Sequence, residues 1–432
     1  MGNFYLAMGV ALILSLPAVI NAQPIAVDPK LLQQLQETIQ QQQEQLRKQD
    51  QQLQAQSEML KSLQKQINDM KQPSALQPTV AAAIPQTAPP ATIASDNDKI
   101  KLTLSGQVNR AVNITNDSYS TNIYPVDNDV SNSRVRLVGT AKMSDDLTLG
   151  ARIEVAVAPD ESSVVSQSNQ APGDFFSERW VEMSLTSRKY GKLSLGKGDT
   201  ASNNTAEVDL SKTDVVQYAS IADISAGMLF RESSSAGVLT TLKVSDAFTD
   251  LDGLSRQSRL RYDTPRFFGF SLAGSIVSGQ RSDLALFWGT EGYGFKAAAA
   301  AAVANPRLDN TGLQYDGSFS ALHTKSGLNL TFSSGMLERD IGNNATNLYA
   351  KLGWLADFNK IGTTAFGVDY TLSQNLPFSE DRGYSMGAAV VQSLDRYATE
   401  LYLQYRIYSL DRKSGPAVGN INAGTIGARV KF

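Results

Sequence analysis

From residue 99 onward the chain alternates between apolar and polar side chains. In the run 99–112, Ile100, Leu102, Leu104, Val108 and Val112 fall on one face, while Lys101, Thr103, Ser105, Gln107 and Asn109 fall on the other. Further on, Leu147, Leu149, Ile153, Val155 and Val157 alternate with Thr148, Arg152 and Glu154 in the same way. A period of two is that of a β-strand with unlike faces. Runs of about ten such residues, separated by Gly, Asn, Asp and Ser clusters, continue to the last residue. With 199–255 taken as one long loop, sixteen strands are predicted. They begin near Lys99, Arg134, Leu147, Arg179, Gly191, Arg256, Phe268, Asp283, Gly294, Gly312, Gly327, Ala345, Gly362, Asp381, Ala398 and Asn422. The segments 228–231 and 238–244 inside that loop raise the number to eighteen if they join the wall. The run 297–302 is all alanine and favours helix, yet Gly294 and Pro306 bracket a strand-length segment.

Such strands build either a soluble sandwich, apolar face inward, or a membrane barrel, apolar face outward. Long charged groups stand at mid-strand on the polar face, among them Arg136, Arg152, Glu154, Arg259, Arg261, Lys351 and Asp369, which suits a wet lumen. Connections alternate between short (144–146, 187–190, 324–327) and long (115–133, 159–178, 199–255), the rhythm of short periplasmic turns opposite long outer loops. Aromatics gather near strand ends, as interfacial girdles do: Tyr190, Phe267, Phe268, Tyr293, Trp354, Tyr397 and Phe432. The fold class expected is therefore an all-β, antiparallel transmembrane β-barrel over 99–432.

The N-terminal quarter has a different texture. Residues 4–18 are apolar and end at Pro17 and small residues, so 1–22 reads as a secretory signal peptide. Within 28–71, side chains at three-four spacing form an α-helical coiled-coil seam: Leu32, Leu35, Ile39, Leu46, Leu53, Leu60, Leu63 and Ile67, with Gln42, Gln49 and Gln56 at intervening seam positions. Residues 72–98, rich in Pro and Ala, read as a semi-rigid linker.

Composition narrows the chemistry. The chain of 432 residues has no cysteine and a single histidine, His323, which nearly excludes thiolate metal sites, imidazole zinc sites and Ser-His-Asp catalysis. No cofactor, metal site or enzymatic activity is expected. A net charge of -3 implies no nucleic-acid partner. Outside the leader no apolar stretch is long enough for a membrane helix, so a membrane protein built from this chain has to be a closed barrel. The sequence Asp250-Leu251-Asp252-Gly253 lacks the later ligands of a calcium loop and reads as a solvated acidic turn.

Five segments carry a resemblance: SGQVNRAV (105–112), VDNDVSNSRVRL (126–137), YGKLSLGKGDTAS (190–202), DGLSRQSRLRYDTPRFFGFSL (252–272) and the terminal ARVKF. In this order they resemble the general Gram-negative trimeric porins, over essentially all of 99–432. The resemblance implies a sixteen-stranded homotrimer in outer-membrane lipid and lipopolysaccharide, with a third outer loop, by position 199–255, folded into the pore. Phe432 resembles the terminal signal read by the barrel assembly machinery. The coiled coil departs from the common porin pattern, although some phosphate- and dicarboxylate-type porins resemble this layout. In the periplasm it would join three copies or reach toward peptidoglycan, with 1.5 Å per residue giving roughly 60 Å.

Inward parity puts Arg134, Arg136, Arg152, Arg259 and Arg261 on the pore wall, and the loop offers Asp199, Glu207, Asp209 and Asp214 opposite. Opposed charges across a water-filled constriction set up a transverse field. Arg110 and Arg179 fall on outward parity, at the rim or at subunit contacts. The function expected is a diffusion channel for small hydrophilic solutes and ions. A porin selective for anions such as dicarboxylates or phosphate, and a coiled-coil-stalked adhesin, are the alternatives.

Overall fold

The computed structural model describes residues 100–432 other than 174, 175 and 235, together with Arg47 and Thr92–Ala94. The expected signal peptide, the coiled-coil seam and most of the linker lie outside the described residues. Thr92–Ala94, within the expected linker, is a short strand paired with 101–103.

Sixteen antiparallel strands close into a barrel. They are β1 (Ile100–Asn116), β2 (Arg134–Lys142), β3 (Leu147–Val157), β4 (Phe176–Ser187), β5 (Gly191–Asp199), β6 (Arg256–Asp263), β7 (Phe270–Val277) and β8 (Arg281–Gly292), followed by β9 (Phe295–Asn305), β10 (Thr311–His323), β11 (Leu328–Arg339), β12 (Ala345–Ala356), β13 (Thr364–Gln374), β14 (Arg382–Leu394), β15 (Thr399–Asp411) and β16 (Ile421–Lys431). Neighbours in sequence are neighbours in the wall, and β5 pairs with β6 across the long loop from Lys192↔Asp263 to Asp199↔Arg256. The ring closes where β1 pairs with β16, from Gln107↔Lys431 to Asn116↔Asn422. Phe432 completes the seam: its amide and carbonyl both bond to Gly106, at 3.0 and 2.8 Å.

The two segments that could have raised the strand number, Leu229–Arg231 and Leu239–Lys243, pair only with each other in a small separate sheet. The alanine run is part of β9, laddered to β8 and β10 along its length. Two ladders of backbone hydrogen bonds outweigh a helix propensity worth a few tenths of a kcal/mol per residue. A larger departure lies in the expected loop 115–133. Its middle, Thr121–Asp127, turns back along the upper half of β1, and the chain then bends through the 3-10 turn Asp129–Ser131 and continues as β2 along the lower half. Pro125 breaks the strand signal there, and is tolerated because it pairs with β1 alone, at Val112, while only Asp127 at the segment's end also bridges to Glu161.

Burial runs opposite to that of a soluble protein. Ile153, Met183, Leu195, Leu272, Leu286, Leu352, Val368, Met386, Leu403 and Ile426 are exposed, whereas Asn113, Glu154, Glu182, Ser194, Asp283, Thr331, Lys351, Asp369, Gln404 and Arg406 are buried. A stalked soluble adhesin requires the reverse arrangement. All seven aromatics expected as girdle residues sit at the short-turn end of the barrel, where Phe267 packs edge-on against Phe268 and Trp354 against Phe358.

Leu195 lies midway along β5 on the outer face, paired with Leu260 and Met183. Leu195→Arg is expected to lower folding stability in lipid vesicles by about 2–4 kcal/mol, read by urea unfolding of tryptophan fluorescence. An unchanged midpoint would place that face in water.

Candidate pore constriction

The long segment 200–255 follows the inner wall. Ala201 and Ser202 take side-chain acceptors from Ser275 on β7 and Asp283 on β8. The Val208 and Leu210 amides donate to Ser318 and Ser320 on β10, at 2.9 and 3.0 Å. Asp209 pairs with Lys351 on β12, whose ammonium also donates to Thr213 Oγ1 and to the Gln217 carbonyl, both at 3.0 Å. Gln217 reaches the Gly367 carbonyl on β13, Tyr408 on β15 donates to Ile221, and Asn113 on β1 donates to Ile224. The return passes Phe248, packed on Tyr408, and Leu251, whose carbonyl accepts from Gln314 on β10. Among the described hydrogen bonds, none joins this segment to β2, β3 or β4.

Apolar contacts fix the same path. Val215, Val216, Ile221, Ile224, Met228, Phe230, Val244 and Phe248 form one buried cluster with Tyr349, Val391, Tyr402, Tyr408 and Ile421 of the wall. Each fully buried large side chain contributes roughly 1.5–3 kcal/mol. The wall gives way where the loop comes closest. At Gly335 a Cβ would lie 2.6 Å from the Asp250 carbonyl, and at Gly367 it would lie 2.1 Å from the Gln217 side chain.

The uncovered wall, β2 to β5, is basic. Glu154 on β3 is fully buried and is met by Arg136 Nε at 2.6 Å, Arg152 Nη2 at 2.5 Å, Arg179 Nε at 2.9 Å and Arg134 Nη1 at 3.6 Å. One carboxylate thus holds four guanidinium groups, and Arg136 keeps 37% of its side-chain surface in the lumen. Arg152 also lies over the Trp180 ring, its Cζ 3.6 Å from the centroid.

Between this wall and the loop is a chamber of about 520 Å³, lined by Arg134, Arg179 and Arg256 on one side and by Glu207, Asp223, Asp250 and Asp252 on the other. Burial pushes the Asp252 carboxyl up to about 6, even though the Asn204 and Ala206 amides donate to it at 2.7 and 2.9 Å. Burial and the nearby Asp129 charge bring Asp223 to about 7, although the Tyr218 and Ser220 hydroxyls pull it down. Glu207 and Asp250 are pushed well above the usual carboxylate range, first by burial and then by the neighbouring charges of Asp252 and of Asp250 or Asp223. Among the described residues, no group of three or more His, Cys, Asp or Glu is placed to hold a metal ion.

The residues singled out in the sequence therefore occupy different positions. Arg134 and Glu207 line the chamber. Arg136 and Arg152 stand below it on Glu154. Arg259 is 4% exposed and holds Glu182 at 2.6 Å together with the Gly196 and Asp199 carbonyls. Arg261 binds Asp263 and the Thr200 carbonyl. Asp199 pairs with Arg256, Asp209 with Lys351, and Asp214 is exposed. Arg179 faces inward rather than outward because a β-bulge at Glu154/Val155 shifts the parity of β4. Asp250 and Asp252, expected in a solvated turn, are folded into the chamber. The signal that could have placed them is the set of inward-parity glycines on the wall opposite, such as Gly335, which leave room for a second chain.

A closed barrel with lipid-facing aliphatic stripes and a charged interior defines an outer-membrane channel. The chain belongs to the Gram-negative porin family, whose model matches residues 79–430. Among solved structures, the anion-selective porin from Comamonas acidovorans is 15% identical, with a TM-score of 0.55 over 77% of this chain and 100% of that one. OmpF of Salmonella typhi, in complex with daunomycin, is 14% identical, with a TM-score of 0.51 over 79% of this chain and 100% of that one. The outer membrane channel DcaP of Acinetobacter baumannii is 10% identical, with a TM-score of 0.50 over 79% of this chain and 100% of that one. At such identities the likeness concerns the fold alone. No curated protein matches the chain by sequence.

Lys351 is fully buried and anchors the loop through three partners. Lys351→Met leaves Asp209 buried without its cation, a loss of about 3–5 kcal/mol for a broken buried pair. The expected outcome is faster proteolytic cleavage within 205–220 of the detergent-solubilised protein, with the heat stability of the barrel little changed.

Proposed function

We propose that the chain forms a diffusion channel in which 200–255 narrows the lumen and small hydrophilic solutes and ions pass between that segment and the β2–β5 wall. The observation that carries this reading is the one-sided packing: loop contacts run from β6 round to β1, and the wall they leave bare, β2 to β4, holds the arginines around Glu154. Loop carboxylates opposite wall guanidiniums set a field across the water path, which orients dipolar solutes and penalises apolar ones. In this reading Arg134, Arg136 and Arg152 with Glu207 are the field-setting residues from the first set, joined by Arg179, Arg256, Asp223, Asp250 and Asp252. Arg259, Arg261, Asp199 and Asp209 hold the loop and wall in place.

A preference for anions, dicarboxylates or phosphate among them, is the second reading, favoured by the excess of guanidinium around Glu154. Arg136→Gln together with Arg152→Gln is expected to move the zero-current potential in a tenfold salt gradient toward cations, by tens of millivolts. An unmoved potential would remove these two residues from the selectivity path.

The assembly belongs to the same proposal. A homotrimer in outer-membrane lipid and lipopolysaccharide, with the coiled coil 28–71 in the periplasm as its clasp or as a spacer toward peptidoglycan, suits the heptad pattern. Phe432, half exposed at the short-turn end beside Gly106, is accessible for recognition by the assembly machinery. Deleting 28–71 is expected to lower trimer yield and the temperature at which trimers dissociate on electrophoresis. Unaltered trimers would leave the coil a spacer only.

A further inference from the structure

The run 223–231 joins the constriction to the mouth of the barrel. At its inner end Asp223 lines the chamber, and its carbonyl accepts from Ser162 Oγ at 2.7 Å. Residues 224–230 are buried without exception, and close packing leaves little slack between the two ends. At the outer end, Arg231 sits among three connections of the long-loop end: 117–120 after β1, 158–173 after β3 and 412–420 before β16.

Each of the three grips the run. Arg231 meets the buried Asp117 carboxylate with Nε and Nη2, both at 2.9 Å, donates from Nη1 to the Gly237 carbonyl at 2.8 Å, and holds its Cζ 5.0 Å from the centroid of the Tyr119 ring. A Cβ on Gly237 would lie 2.4 Å from that same ring. From the second connection, Gln167 clamps Leu229 at both ends of its amide, donating to the carbonyl at 2.8 Å and accepting from the N–H at 2.9 Å. The third connection adds a strand-like pairing: the Ser233 amide donates to the Ala417 carbonyl and the Gly419 amide to the Arg231 carbonyl, both at 2.8 Å, with Glu232 opposite Val418. The barrel strands add less here, chiefly Asn113 to the Ile224 carbonyl and Thr115 to the Met228 sulfur. Connections move more readily than the strands they join, so a run fastened to them follows them.

We propose that 223–231 is a strap, fastened at Arg231, by which the connections at the mouth hold the acidic edge of the constriction in place, so that a load on those connections shifts Asp223 in the water path. The effect on solute passage rests on the channel reading; the fastening does not.

The test is amide hydrogen exchange, read by mass spectrometry on the detergent-solubilised full chain over 221–228, where the Asp223, Ser225 and Met228 amides are each bonded to a loop carbonyl. Arg231→Met is expected to speed exchange there roughly tenfold and to leave β11 and β12 unchanged. Gln167→Ala, which keeps the ion pair and frees only Leu229, should speed it roughly threefold. Glu232 and Val418 form a non-hydrogen-bonded pair, the arrangement in which Cα atoms lie about 4.5 Å apart, so Glu232→Cys with Val418→Cys closes a disulfide in a chain that has no other cysteine. Added to Arg231→Met, the closed disulfide should return exchange to near the native rate, and dithiothreitol should release it again. In bilayers, Arg231→Met should make the current jump between levels, and the closed disulfide should steady it. Exchange unchanged in either variant, acceleration that the disulfide does not reverse, or a current that stays steady while exchange quickens would overturn the strap. Exchange needs no current, so a chain that conducts nothing in a bilayer would count against the channel reading alone.

Discussion

Everything in this molecule follows from the need to pair each backbone N–H and C=O within hydrocarbon. An open sheet would leave two rows of unmet groups, so the ladder has to return to its start, and it does so where β1 meets β16. Closure gives the outer face to lipid, and the aliphatic residues go there. The interior is then denied the ordinary hydrophobic core. What stabilises the inside has to be polar pairing, or apolar surface delivered by a segment that the wall does not supply.

Segment 200–255 is that delivery. It carries its own valines, isoleucines, Met228, Phe230 and Phe248 into the lumen and presses them on wall tyrosines and small residues. A second set of contacts, polar and directional, sets its height: the Ser318 and Ser320 acceptors for the Val208 and Leu210 amides, and Lys351 on Asp209 between them. Because that core occupies one side of the barrel, water is left the other. The arginines of β2 to β4 then cannot be neutralised by the loop at close range. They converge instead on Glu154, a buried anion that they jointly outnumber. A buried carboxylate needs such partners to stay charged, and the leftover positive charge is displayed to the lumen.

The strand pattern was legible because it repeats. Alternation fixed the face, and Gly and Asn clusters fixed the ends, so β1 to β16 begin within a few residues of their expected positions. The alanines of β9 are a case where local propensity pointed elsewhere and the ladders decided. Two kinds of feature were not legible. Parity is counted from a strand's start, so a single bulge at Glu154/Val155 was enough to turn Arg179 inward. Loop residues have no period at all. Asp250 and Asp252 looked like a wet turn because nothing local records that, on distant strands, Gly335 makes room at the Asp250 carbonyl and Gln314 donates to the Leu251 carbonyl between them. The same limit explains Arg259 and Arg261: their inward parity was readable, their commitment to Glu182, Asp263 and loop carbonyls was not.

Position along the barrel gives the charges an order. Arg134 and Arg256 open their strands at the long-loop end, Arg179 lies near the start of β4, and Arg136 and Arg152 follow further in. From that end inward, guanidiniums facing carboxylates come first. The surplus of guanidinium on Glu154 lies deeper. This order of charges is a consequence of one asymmetry: the loop's apolar core lies against β12 to β1, so its acidic edge faces the basic strands.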